Sequence, residues 1–346
     1  VYKRQIEGCI IPPMISRNTR EALFYEKLDG GRIRCLLCPN LCVIADGSAG
    51  RCMVRRNESG KLLADSYGNT VTAAIDPIEK KPLYHFMPGS SILSIGPNGC
   101  TLTCDHCQNW QISQEKAPVR YISPEELVEL GGRDGSVGVA FTYTEPLIWF
   151  EYLLDALPLL SDAGLKSVLV TNGYFNEKPA RQVVPLVDAF NVDLKSFDDG
   201  FYRQYCGGSI GPVKAFIELA AEHAHVEVTC LVIPGLNDTE KEIGKMARWI
   251  SGISKEIPLH LSRFFPRFRM DGRPPTPQET LEMAYRTARD YLDYVYVGNI
   301  FIEGTENTVC PSCGADAILR SGYSAQLRAA GGICASCGHH IKGVWS

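Results

Sequence analysis

Between about Ser91 and Asn299 the chain alternates short β-branched runs with amphipathic stretches, and this alternation restricts the fold more than any other feature. Strands are expected over 91–96, 137–143, 166–171, 189–194, 226–233, 259–264 and 295–299. Helices with marked starts fall between them. Ser123-Pro-Glu-Glu126 is a capping box with proline at the first helical position. Asn237-Asp-Thr-Glu240 and Thr276-Pro-Gln-Glu279 open two further helices. Six or seven such units predict an α/β fold, a partial (β/α)6-type TIM barrel with its reactive groups at the C-terminal ends of the strands. A doubly wound open sheet is the alternative.

The flanks differ from this core. Residues 1–89 are rich in Gly, Pro and charge and read as irregular structure folded around a Cys-rich segment. Residues 90–303 form the barrel, and 304–346 a small, separate module with four cysteines. With 35 Lys+Arg against 39 Asp+Glu the net charge is −4, which excludes a polycationic nucleic-acid binder held by counterion release. No apolar run approaches the ~20 residues of a membrane helix, and Val1–Glu7 lacks a signal-peptide pattern. A cytoplasmic protein with no membrane or nucleic-acid partner is expected.

Fourteen cysteines in a large chain without an export signal point to metal rather than disulfides, because eleven of them fall at ligand spacing. The others, Cys9, Cys206 and Cys230, read as small buried hydrophobes. Cys310-x2-Cys313 and Cys334-x2-Cys337 have the pattern of a zinc ribbon or rubredoxin-like site, closed around Zn2+ or Fe. Cys35, Cys38, Cys42 and Cys52 can close around zinc or around an auxiliary [4Fe–4S] cluster, and spacing alone does not choose. Cys100-x3-Cys104-x2-Cys107 directly follows the first expected strand. Three thiolates there can hold three irons of a cubane and leave the fourth open, whereas a structural zinc would need a fourth ligand such as His106.

The Cys-x3-Cys-x2-Cys spacing resembles that of the radical S-adenosylmethionine (SAM) enzymes. Gly99-Cys-Thr-Leu-Thr-Cys-Asp-His-Cys-Gln-Asn-Trp110 is similar to their pyruvate formate-lyase activating enzyme-like branch. The resemblance places His106 by the adenine. It sets the Thr142-Tyr-Thr-Glu-Pro146 element, with Thr142, Thr144 and Glu145, beside the methionine portion of SAM. Asn172 lies in a Thr171-Asn-Gly173 strand end, Asp193-Leu-Lys195 resembles the family's Asp-x-Lys motif, and His260 matches a histidine near the ribose. Packing, a surface ion pair and a core histidine are the plainer readings of His106, of Asp193 with Lys195, and of His260. Val170 stands where the activating enzymes usually carry Asp before Thr-Asn-Gly, which weakens the match to their substrate contacts. Asp76-Pro-Ile-Glu-Lys-Lys-Pro82 and Tyr84-His-Phe-Met-Pro-Gly89 resemble the radical SAM member of the AmmeMemoRadiSam system, with Memo-like and Ammecr-like proteins as its neighbours.

The resemblance implies a [4Fe–4S] cluster on Cys100, Cys104 and Cys107 that cleaves SAM reductively, with a ferredoxin or flavodoxin as electron donor. The 5′-deoxyadenosyl radical would then take hydrogen from a small-molecule or cofactor-precursor substrate. The alternative is an activase that installs a glycyl radical on a partner protein.

Overall fold

The computed structural model describes residues 18–345, so Cys9 and the Val1–Glu7 stretch lie outside the described residues. Its centre is an eight-stranded sheet of β1 (Thr72–Pro77), β2 (Ser91–Gly96), β3 (Ser136–Phe141), β4 (Lys166–Thr171), β5 (Ala189–Asp193), β6 (His225–Val232), β7 (Leu259–Arg263) and β8 (Val295–Gly298). Every strand lies beside its neighbour in sequence, and β2 to β8 run parallel. A doubly wound sheet reverses its order at a switch point, whereas this unbroken order is that of a singly wound partial barrel.

The parallel strands are apolar runs because both of their faces are covered. In β2 every residue from Ile92 to Gly96 is buried. Helices pack along the sheet, among them α1 (Pro124–Gly131), α2 (Phe150–Asp162), α3 (Glu177–Val183), α4 (Ile210–His223), α5 (Glu240–Ile253) and α6 (Gln278–Arg289). Ser123 caps α1 by accepting from Glu126 N at 3.1 Å, with Pro124 in the first turn. Thr239 caps α5, which frees Asn237 for another task. Asn237 is fully buried, donates to the Lys195 and Leu231 carbonyls at 2.7 and 2.9 Å, and so ties the ends of β5 and β6 together. Thr276 does not cap α6 either. Its hydroxyl accepts from Phe264 N and donates to Val232 O, fastening β7 to β6.

Two expectations about the flanks need correction. The N-terminal segment is not irregular: it supplies β1, antiparallel to β2 at the sheet edge, and two small three-stranded sheets. Its Arg55 forms a 2.8 Å ion pair with Glu151 of α2, the two side chains being 1% and 3% exposed. Removing one partner of such a pair leaves a buried charge and costs about 3–5 kcal/mol, so this contact locks the segment to the barrel. The C-terminal module is not separate. Its Arg320 is buried, donates to the Tyr84 carbonyl at 2.7 Å and lies 4.1 Å over the Tyr84 ring, while Lys342 O meets His85 Nδ1 at 2.8 Å. No helix among the described residues is long and apolar enough to cross a membrane.

Candidate active site

The loop that leaves β2 is held close to its neighbours by two glycines. A Cβ on Gly96 would meet Thr142 O at 2.3 Å, and one on Gly99, at φ +93°, would meet Cys52 O at 2.2 Å. Beyond this loop a cavity of about 650 Å³ opens at the C-terminal ends of the strands, lined by Cys100, Cys104 and Cys107. His106, Thr144, Asn172, Asp193, Lys195 and His260 line the same cavity. The folded chain thus brings together six of the eight expected SAM contacts; Thr142 and Glu145 are buried outside its wall.

Several of the lining groups are fixed by partners of their own. Asn172 Nδ2 lies 3.4 Å from Cys100 Sγ and 3.1 Å from Thr101 Oγ1, while its Oδ1 accepts from Tyr174 N at 2.8 Å. Cys107 Sγ is 3.2 Å from Ser113 Oγ. Lys195 Nζ donates to Asp193 Oδ2 at 3.0 Å. Burial opposes the charge on Lys195, but Asp193 and the neighbouring thiols hold the ammonium well above its ordinary pKa. Burial first, and Lys195 second, push the His106 imidazole down to about 3, so its ring stays neutral. The Nδ1 atom of His106 is buried and has no hydrogen-bond partner among the described residues.

His260 Nε2 meets Glu227 Oε2 at 2.6 Å, which fixes the ring at the cavity wall. Glu227 is fully buried and also accepts from Tyr84 N, His85 N and His225. Burial alone would raise its carboxyl, yet the bonds from His225 and His260 hold it well below the usual range. One carboxylate therefore orients a cavity histidine and anchors the segment that Arg320 grips.

Glu145 is tied into the fold by its own bonds. Its carboxylate accepts from Thr171 Oγ1 at 2.7 Å, Leu147 N at 3.0 Å and Asn172 N at 2.8 Å, and burial pushes it up to about 7 against those bonds. It fastens the end of β4 and aims Asn172 at the cysteine loop. Glu145→Ala would leave three buried donors unpaired, each worth ~1–3 kcal/mol. A stability loss of about 3 kcal/mol is expected in urea unfolding, and a variant within about 0.5 kcal/mol of the wild type would remove this role.

The sequence profile of the Radical SAM superfamily matches residues 94–250, which span β2 to α5 and include the cysteine loop. An uncharacterised protein of Methanocaldococcus jannaschii is 42% identical over 314 residues, covering 89% of this chain and 93% of that protein. The chain belongs to the radical SAM superfamily. A pyruvate formate-lyase-activating enzyme of Clostridium pasteurianum is 28% identical over 167 residues, covering 45% of this chain and 67% of the enzyme. A benzylsuccinate synthase activating enzyme of Thauera aromatica is 27% identical over 195 residues, covering 52% and 59% of the two chains. This radical SAM enzyme is thus homologous to the pyruvate formate-lyase activating enzymes.

The residues present suit the cluster of that superfamily. Cys100, Cys104 and Cys107 face one cavity from one loop, with an amide and a hydroxyl beside two of the sulfurs and open space for a ligand beyond them. Cys206 was not expected nearby. Its thiol lies within 4.8 Å of Cys104 Sγ and a His106 ring nitrogen, but it is fully buried and absent from the cavity wall. Only the π-helical turn Tyr202–Cys206 brings it there, and no spacing in the sequence signals that. The C-terminal cysteines sit otherwise: Cys310 and Cys337 sulfurs are 3.7 Å apart, and those of Cys313 and Cys334 3.6 Å. A tetrahedral ion with metal–sulfur bonds of ~2.3 Å has edges of ~3.8 Å, so these four fit a single metal ion.

Proposed function

We propose that this radical SAM enzyme takes hydrogen from a small molecule bearing amine or hydroxyl groups. The observation that carries this reading is the part of the cavity wall formed by Glu79, Tyr84, Glu306 and Tyr323, the last two from the C-terminal module. Glu79 and Glu306 bring two carboxylates to this wall, and a carboxylate accepts from the N–H or O–H of an amine or hydroxyl. When bound, the cluster supplies the single electron that cleaves SAM to methionine and a 5′-deoxyadenosyl radical. Asp193 and Lys195 would hold the charged end of SAM, each contact contributing ~1.5–3 kcal/mol in a partly dry cleft. The neutral His106 ring would face the adenine and His260 the ribose, with Thr144 and Asn172 alongside. Zn2+ or Fe on Cys310, Cys313, Cys334 and Cys337 would keep the module seated. A low-potential ferredoxin or flavodoxin would donate electrons in the cytoplasm, and Memo-like and Ammecr-like proteins would share the substrate pathway.

A glycyl-radical activase is the second reading, favoured by the names of the two activating-enzyme relatives. Val170 counts against it: partly buried against an apolar cluster, it offers no carboxylate at the end of β4. Fractionated cell extract separates the two. With SAM and dithionite, the low-molecular-mass fraction should raise 5′-deoxyadenosine formation about tenfold or more, a barrier change of roughly 1.4 kcal/mol. Stimulation confined to the protein fraction, with a glycyl-radical electron paramagnetic resonance (EPR) signal on a partner, would overturn the small-molecule reading.

A further inference from the structure

Cys35, Cys38, Cys42 and Cys52 surround a second, much smaller cavity of about 20 Å³. They differ from the C-terminal four, whose sulfurs lie within 4.8 Å of one another and close on a point. Four thiols that line one cavity without gathering to the spacing of a single ion suit a larger group, since the cysteines of a cubane stand farther apart than those of a tetrahedral zinc. Two donors already face the sulfurs: Asn40 Nδ2 lies 3.5 Å from Cys38 Sγ and Arg51 N 3.4 Å from Cys42 Sγ. Hydrogen bonds to sulfur are what metal-bound thiolates take. Arg55 lines the same cavity, is 1% exposed and keeps its Nε without a partner among the described residues. Glu151 balances the charge of Arg55, so what remains is one buried N–H that calls for an acceptor.

The position is as telling as the ligands. Thr101, next to Cys100, lines this small cavity, and its carbonyl accepts from Asn40 at 2.7 Å. Thr101 Oγ1 bonds Asn172, whose amide reaches Cys100 Sγ. Gly99 rests on the Cys52 carbonyl, and Arg51 bridges to Thr103 Oγ1 at 3.0 Å. On the other side, Cys42 stands between Leu41 and Val43, which are 45% and 51% exposed. The four-cysteine site therefore lies between the protein surface and the Cys100 loop.

We propose that Cys35, Cys38, Cys42 and Cys52 hold a second iron–sulfur cluster that passes single electrons from an external low-potential one-electron donor to the group on Cys100, Cys104 and Cys107. Each transfer oxidises the donor by one electron and reduces the inner group by one, with the second cluster returned to its starting state and no proton moved. The relay rests on the reading of the Cys100 loop as a SAM-cleaving site, whereas occupancy of the four-cysteine site does not.

The test starts from protein reconstituted anaerobically with iron and sulfide. Wild type should bind about eight irons per chain, and Cys100→Ala/Cys104→Ala/Cys107→Ala about four, with the EPR signal of a reduced cluster retained. That variant leaves the N-terminal cysteines untouched, so its iron count stands even if SAM is never cleaved. No iron in it, or one zinc in its place beyond the C-terminal metal, overturns the second cluster. Cys38→Ala/Cys42→Ala should remove about four irons and keep 5′-deoxyadenosine formation with dithionite, which is small enough to reach the inner group directly. With reduced flavodoxin its rate should fall at least about tenfold. Equal loss, or no loss, with both reductants overturns the relay.

Discussion

Replacing Cys104 by alanine is expected to bring 5′-deoxyadenosine formation with dithionite below detection, a fall of more than about a thousandfold, while the barrel stays folded. Cys104 is one of three thiols that the β2 loop turns into the large cavity, and two ligands do not hold a cubane in place. The sheet does not depend on it, because β2 to β8 are held by their own ladders and by the helices along them. A thousandfold loss corresponds to roughly 4 kcal/mol of barrier, far beyond what a mere packing change in the loop would produce. Cys206 supplies the one specific route to a false result, since its sulfur is within 4.8 Å of Cys104 Sγ and could replace it. Cys104→Ala/Cys206→Ala closes that route. A double variant that still cleaves SAM within about tenfold of the wild-type rate would refute the assignment of the Cys100 loop.

How far the sequence shows this site follows from which forces are local. The seven parallel strands lie where their apolar runs place them, because a strand buried on both faces is apolar along most of its length. The cysteine loop is legible for a similar reason: its ligands come from one short segment, so spacing is nearly geometry. β1 is not legible. Thr72-Ala-Ala-Ile-Asp-Pro77 ends in proline and carries Asp76, which faces Lys80 and Lys81 at 2.7 Å instead of a core. That ion-paired turn gives the Asp-Pro-Ile-Glu-Lys-Lys-Pro run a structural task, reinforced by Tyr143, whose hydroxyl donates to Asp76 at 3.0 Å. Glu145 marks a further limit. The motif locates it at a strand end, but which way its side chain points depends on donors from β4 that are far away in sequence. Glu227 and the cavity wall shared by Glu79, Tyr84, Glu306 and Tyr323 are of this kind too, since both arise where distant segments meet.

The C-terminal metal site is expected to matter for more than stability, and Cys310→Ala tests this. Cys310 is 1% exposed, and its loss opens a four-sulfur shell whose metal, judged by zinc-finger peptides, contributes about 10–16 kcal/mol to folding of the element that holds it. Within a protein that has its own large core only part of this reaches global stability. A drop of roughly 4 kcal/mol, or about 10 °C in the unfolding midpoint, is expected together with loss of the bound metal. The module also carries Glu306 and Tyr323 to the cavity and is seated by Arg320 on Tyr84, whose amide Glu227 holds. Once it loosens, SAM cleavage without substrate should persist while hydrogen transfer from substrate to 5′-deoxyadenosine falls at least about tenfold. Arg320→Met separates seat from metal: it should keep the metal and show the same uncoupling with a smaller stability loss. If the Cys310→Ala protein keeps full thermal stability and loses SAM cleavage itself, the four cysteines hold a catalytic cluster, and the structural role given to them here is wrong.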